Sequence, residues 1–261
     1  MFTKNIKDHQ PETGPASEGR RGRGRPRGTT QQGVAAREQL YKTAIKMIAS
    51  HGYEATTLRD IAKRAGVSVG LLYRYFPSKR SVVLALYDEL SKEFASRVSR
   101  MRSGTWHERF MFALRTSLQV LRPHRATLAA LIPLMVSHDV EGLFSPTTTV
   151  SRLRVQEAFV LAVGEATDAP EGEAAAALGR LLYIVQLVVL LWWVLEKSPN
   201  QRATKKLVQM LSRMETSASL ALGFPGALTL VDYADKLVRE GLFREERPLA
   251  RGLPTPGGPH L

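Results

Sequence analysis

A chain of 261 residues, 44% hydrophobic and 23% charged, has room for one large or two ordinary domains and for a substantial core. It has no Cys, which excludes a disulfide framework, a thiolate zinc site and a Cys nucleophile, and suits a reducing, cytoplasmic setting. The formal net charge is +13, and it is lopsided: residues 1–102 hold 20 Lys/Arg against 9 Asp/Glu, and residues 103–261 hold 17 against 15. Such an end either meets a polyanion or is a solvated basic face, and charge alone does not choose between the two.

Residues 1–33 are rich in Pro, Gly, Arg, Ser and Thr and nearly free of apolar side chains, so a disordered basic arm without a secretory segment is expected there. Within it, Arg23-Gly24-Arg25-Pro26, flanked by Arg20, Arg21 and Arg27, resembles an AT-hook core. Small glycines and a proline-fixed extended chain let Arg23, Arg25 and Arg27 enter a narrow A·T minor groove, where the negative potential is enhanced. The plainer alternative is a tail with general phosphate affinity.

From Val34 the pattern turns helical. Leu40, Ala44, Met47 and Ile48 share one helix face, and Gly52 suits the left-handed position after its end. Thr57 caps a second, short helix, with Asp60 at the capping-box position and Leu58, Ile61, Ala62 and Ala65 as its buried face. Gly66-Val67-Ser68 makes a tight turn, and Ser68 caps a third helix that runs to Tyr75. Pro77-Ser78 starts a fourth, whose Val82, Val83, Leu86, Tyr87 and Leu90 repeat with helical period to about Met101. Two short helices joined by a Gly-containing turn form the helix-turn-helix layout, expected over residues 34–80. In that layout the second helix of the pair enters the major groove with its N-terminal residues at base edges.

Further helices are expected at about Thr105–Leu121, His124–His138 (kinked at Pro133), Ser145–Ala166, Pro170–Glu196, Pro199–Leu222 and Leu228–Glu240. A flexible Pro/Gly-rich tail is expected over 248–261. The fold class is therefore all-α, with a second helical domain expected over 81–247, whose surplus apolar residues have dimerisation and ligand binding as their candidate uses. The run Leu181–Leu195 is apolar all round apart from Gln186 and shorter than the ~20 residues of a bilayer span, so it reads as a buried helix and no membrane partner is expected. Leu207, Leu211, Met214, Ala218 and Ala221 form a stripe on the next helix, and two such helices per protomer would build a four-helix dimer interface. Phe110, Leu114, Leu118, Met135, Phe159 and Trp192 either line a pocket for a small apolar ligand or are ordinary core. Trp192 and Trp193 point about a hundred degrees apart, so only one of them can face such a pocket.

Arg37, Ala44-Ile45, Gly52-Tyr53, Thr56-Thr57, Ile61-Ala62, Ala65-Gly66-Val67-Ser68, Gly70, Leu72-Tyr73, Tyr75-Phe76 and Ser78-Lys79 together resemble the TetR/AcrR family of bacterial regulators. The resemblance covers about Arg37–Leu90. It implies a homodimer that binds a palindromic operator on double-stranded DNA, usually repressing, and releases it when a small ligand enters the C-terminal domain. It also implies that Val69, Gly70, Leu71 and Arg74 face bases, with Ser68 at the head of that helix. Thr57, Tyr73, Tyr75 and Lys79 match phosphate-touching positions, and Arg59 matches one that reaches a base edge. Val69, Gly70 and Leu71 carry no side-chain hydrogen-bonding group, so they discriminate through thymine methyls. Arg74 and Arg59 are the candidates for bidentate contact with guanine, worth ~1–3 kcal/mol each against a wrong base. Tyr73 and Tyr75 have packing within the small domain as their alternative role. Lys79, at a helix start, sits where free amides favour a phosphate.

Catalysis has little to stand on. His9, His51, His107, His124, His138 and His260 have no metal-ligand spacing, and there is no Glu-x-x-His motif or phosphate-binding Gly loop, so no metal, cofactor or enzymatic activity is expected. A ligand-responsive repressor is the leading expectation. The runner-up is an architectural, nucleoid-type protein that binds A·T-rich DNA through its arm and charge. A transferase or hydrolase with an incidental basic tail comes last.

Overall fold

The computed structural model describes residues 31–136 and 142–243, and the regular elements among the described residues are all helical, with no strand. In chain order they form α1 (Gln31–His51), α2 (Leu58–Arg64), α3 (Val69–Tyr75), α4 (Lys79–Val98), α5 (Trp106–Leu121), α6 (Arg125–Met135), α7 (Thr149–Gly164), α8 (Glu173–Leu195), α9 (Arg202–Ser212), α10 (Glu215–Gly223) and α11 (Ala227–Val238). A π-helical turn, Arg239–Phe243, extends α11. Residues 1–30, which hold most of the expected arm, and the expected tail at 248–261 lie outside the described residues; the end of the arm, from Gln31, is already helix.

Helices as short as α2 and α3 are marginal alone, and their ends explain how they persist. The Thr57 hydroxyl accepts the Asp60 N–H at 3.2 Å and donates to the Asp60 carboxylate at 2.5 Å. The Ser68 hydroxyl accepts the Leu71 N–H at 3.2 Å, and Ser78 with Ser81 closes a reciprocal box at the start of α4. Each such cap stabilises its helix by about 1 kcal/mol. Gly66 holds the turn between α2 and α3 at φ +68°, a conformation that costs a residue with a Cβ.

Two cores form. The first joins Leu40, Ala44 and Ile48 of α1 to Ile61, Ala62, Leu72, Phe76, Val82 and Leu86, and continues into Val120 of α5 and Leu131 of α6. The second gathers Phe94, Trp106, Phe110, Leu114, Phe159, Val163, Leu178, Leu182 and Tyr183 from α4, α5, α7 and α8. Helices α7 and α8, joined by residues 165–172, form an antiparallel pair that closes tightly at Gly179. A Cβ added there would lie 2.5 Å from Val160 Cα and 2.9 Å from Phe159 O.

Buried and half-buried arginines fasten these layers. Arg109 donates to the carbonyls of Arg102, Leu161 and Ala162 and pairs with Glu165 at 2.9 Å. Arg125 donates to the carbonyls of Trp193, Val194 and Glu196, satisfying the orphan C-terminal end of α8 from α6. Arg180 makes a bidentate pair with Asp235 at 2.7 and 2.6 Å, which seats α11 on α8.

Three elements differ from the sequence reading. The long helix expected over Pro199–Leu222 is two helices, α9 and α10, parted at Arg213–Met214. No Pro or Gly marks that break; tertiary bonds do, with the Leu211 carbonyl 3.0 Å from His107 Nε2 and the Glu215 carboxylate accepting from the Thr105 hydroxyl at 3.0 Å. Helix α6 holds Pro133 inside it as expected but spans Arg125–Met135, with Val136 as its cap, and so ends short of the expected His138. Helix α8 begins at Glu173, because Gly172 before it takes φ +60°. By length and composition α8 would cross a membrane, yet 44% of its most apolar window is buried within the bundle.

Candidate nucleic-acid interface

The α2–α3 pair is held to α1 from two sides. Gln39 of α1 donates to the Ala65 carbonyl at 2.9 Å, and Phe76 stacks on Tyr41 with centroids 6.5 Å apart and the Arg37 guanidinium 5.3 Å above its ring. Fully buried Ala62 is the point of close approach, and its carbonyl accepts the Val67 N–H at 3.1 Å across the turn. The sequence reading did not single out Gln39; a polar residue on an otherwise apolar-patterned helix was the available signal.

With Leu72 and Phe76 turned inward, α3 presents Val69, Gly70, Tyr73 and Arg74 to solvent. Leu71 and Tyr75 are half-buried, and Tyr75 packs on the first core. The two tyrosines therefore part company, since Tyr73 is 48% exposed. Arg59 is exposed on α2, as are Lys63 and Arg64. Thr57 and Ser68 are exposed, each with its hydroxyl engaged in a helix cap.

Gly70 is informative for what surrounds it. Nothing lies within 4 Å of where its Cβ would be, so no packing within the chain requires glycine. Glycine inside a helix costs about 1 kcal/mol relative to Ala, and here that cost leaves a flat patch of backbone on the exposed face of α3.

Lys79 points elsewhere than the sequence reading expected. Its ammonium donates to the carbonyls of Tyr53 (2.6 Å) and Glu54 (3.3 Å) and rests 4.2 Å from the Tyr53 ring centroid. It fastens the start of α4 to the turn after α1. Arg23, Arg25 and Arg27 lie outside the described residues.

The six residues considered for a pocket do not converge. Phe110, Leu114 and Phe159 share the second core, with the rings of Phe110 and Phe159 6.1 Å apart. Leu118 is half-buried, and Met135 packs against the first core instead. Of the two tryptophans, Trp193 is the inward one, its Nε1 donating to Gln201 at 3.0 Å, whereas Trp192 is 50% exposed. The dimer stripe divides too: Leu207, Leu211 and Ala218 pack against the second core, whereas Met214 and Ala221 are exposed. Val185, Val188, Trp192 and Leu195 leave an apolar face of α8 uncovered among the described residues.

Residues 40–86 match the model of the bacterial regulatory proteins, tetR family. The chain is 27% identical over 190 residues to the transcriptional repressor KstR of Rhodococcus jostii, covering 72% of this chain and 82% of that one. It is 30% identical over 167 residues to the transcriptional activator FasR of Mycolicibacterium smegmatis, covering 63% of this chain and 68% of the relative. Among solved structures, the regulator FadR of Bacillus subtilis, in complex with stearoyl-CoA, shares the fold with a TM-score of 0.53 at 19% identity, covering 67% of this chain and 97% of that one. The family model falls on the helix-turn-helix and the similarity to FasR extends over most of both chains: the chain belongs to the TetR family and is a DNA-binding transcriptional regulator.

Proposed function

We propose that this regulator is a ligand-responsive repressor that binds a palindromic operator as a homodimer. The observation that carries the reading is the exposed face of α3, where Val69, Gly70 and Arg74 stand free while Leu72 and Phe76 anchor the helix. Arg74 and Arg59 supply the bidentate hydrogen bonds to guanine, Val69 and Leu71 meet thymine methyls, and Tyr73 reaches a phosphate. The uncovered face of α8 joins two protomers, so that two readers address two half-sites. Ligand response is supported by the likeness to FadR, and repression by the extent of the match to KstR. The basic arm, with Arg23, Arg25 and Arg27, adds phosphate contacts and enters the minor groove beside the operator. Like its DNA, such a regulator resides in the cytoplasm.

Footprinting on genomic fragments tests this reading. A short protected palindrome is expected, with Arg74→Ala relaxing the preference at one base pair of each half-site. Broad protection of A·T-rich DNA, unaffected by Arg74→Ala, would instead support an architectural protein. Deleting residues 1–28 should lower the slope of log K against log salt by about one unit for each phosphate that the arm neutralises.

A further inference from the structure

The interior of the second domain contains a group of polar side chains with no structural task. Arg152 and Gln156 lie one turn apart on α7, each only 8% exposed, and Gln186 on α8 is 3% exposed. Nε of Arg152 and Oε1 of both glutamines are buried with no hydrogen-bond partner among the described residues. The antiparallel pairing that seats Gly179 on Val160 brings Gln186 to the level of Arg152–Gln156, and Tyr183, one turn before it, is buried beside the same stretch. Burial pulls the Arg152 guanidinium below its usual range, and its positive charge is felt at the Tyr183 hydroxyl.

Other inward arginines are spent on carbonyls or carboxylates, as buried Arg109 and half-buried Arg125 and Arg180 show. Arg152 has no such partner among the described residues. A buried guanidinium without a carboxylate is a standing cost, because its desolvation is not offset by an ion pair. Its compensation in this conformation is the ring of Phe243, whose centroid lies 4.9 Å from Cζ. That ring also meets Phe144 at 5.9 Å and Tyr183 at 6.5 Å, so the last turn after α11 lies over the polar group as an aromatic plug.

We propose that Arg152, Gln156 and Gln186 hold the head group of a small amphipathic carboxylate, whose apolar body takes the place of Phe243 against Phe144 and Tyr183. The guanidinium offers a charge-assisted bond to one carboxylate oxygen, and either glutamine can turn its amide N–H to the other. The proposal rests on the ligand-responsive reading above and names the ligand class. Phe243 is the internal competitor, so the ligand must displace it and the turn Arg239–Phe243 must move.

Octanoate and octan-1-ol are suitable probes, because they share an apolar chain and differ in charge. Binding to the full-length protein is measured by calorimetry for the natural sequence, Arg152→Gln and Phe243→Ala, alongside thermal unfolding and operator affinity. Octanoate should bind better than octanol, Arg152→Gln should weaken octanoate alone by about ten- to a hundredfold, and Phe243→Ala should tighten it. Without ligand, Arg152→Gln should unfold at the same or a higher temperature, which a merely structural arginine would not allow. Equal binding of the two probes, unchanged octanoate binding by Arg152→Gln, or no octanoate binding even by Phe243→Ala would each overturn the site. Octanoate binding through Arg152 with operator affinity unchanged would uphold the site and overturn the ligand-responsive reading instead.

Discussion

Replacing Gly179 by Ala adds one methyl where α8 lies against the backbone of α7. The new Cβ would stand 2.5 Å from Val160 Cα, 2.9 Å from Phe159 O and 3.0 Å from Val160 N, all main-chain atoms of α7. A flexible side chain would swing away; a helix backbone has to move as a body, so α7 and α8 must separate along their length. Overpacking of this kind costs about 1–3 kcal/mol, and rigid neighbours argue for the upper end. Against it, Ala improves helix propensity over Gly by about 1 kcal/mol. The net expectation is a loss of about 2 kcal/mol. Urea unfolding followed by circular dichroism, at fixed protein concentration, would show the midpoint fall by about 0.8 M for a slope of about 2.5 kcal/mol/M. An unchanged or raised midpoint would refute the claim that backbone contact fixes the spacing of this pair.

The same substitution at Gly70 should act with the opposite sign on folding: Gly70→Ala stabilises by up to about 1 kcal/mol, since its Cβ meets nothing, while operator affinity drops; unimpaired operator binding would show that DNA does not approach this backbone. Val188→Glu, on the uncovered face of α8, should yield a folded monomer in sedimentation, whereas Leu211→Glu should lower the melting temperature because that side chain packs within the protomer. Asp235→Ala leaves Arg180 without its buried carboxylate, a loss of about 3 kcal/mol, so hydrogen exchange in α11 should quicken by roughly a hundredfold.

What the sequence disclosed was whatever is local. Thr57, Ser68 and Ser78 announced helix starts because a cap is a bond between a side chain and an amide three residues on, and Gly66 announced the turn because its φ is a property of one residue. The outer face of α3 was legible only through the family resemblance, and of the four residues it names Val69, Gly70 and Arg74 are exposed while Leu71 is half-buried. The division of α9 from α10 was not legible, because the groups that end α9 come from residues about a hundred positions away, Thr105 and His107. Lys79 was misdirected for a related cause: the carbonyls it meets, of Tyr53 and Glu54, are close only once α1 and α4 have packed. Arg152 and Gln156 gave no signal at all, since polar residues one turn apart on a helix ordinarily mark its wet side.

The first core does not stop where the helix-turn-helix does. Leu131 and Val120 belong to it as fully as Leu40 or Leu86. A protein cut after α4 would leave α1 with a bare apolar flank, so the reader is not a detachable part. Anyone transplanting this DNA specificity onto a different sensing body must carry the α6 surface along with it, or redesign the flank of α1 to tolerate water. Inheritance faces the same restriction: substitutions at Leu131 of α6 are constrained by α1, the helix on which the α2–α3 pair is seated.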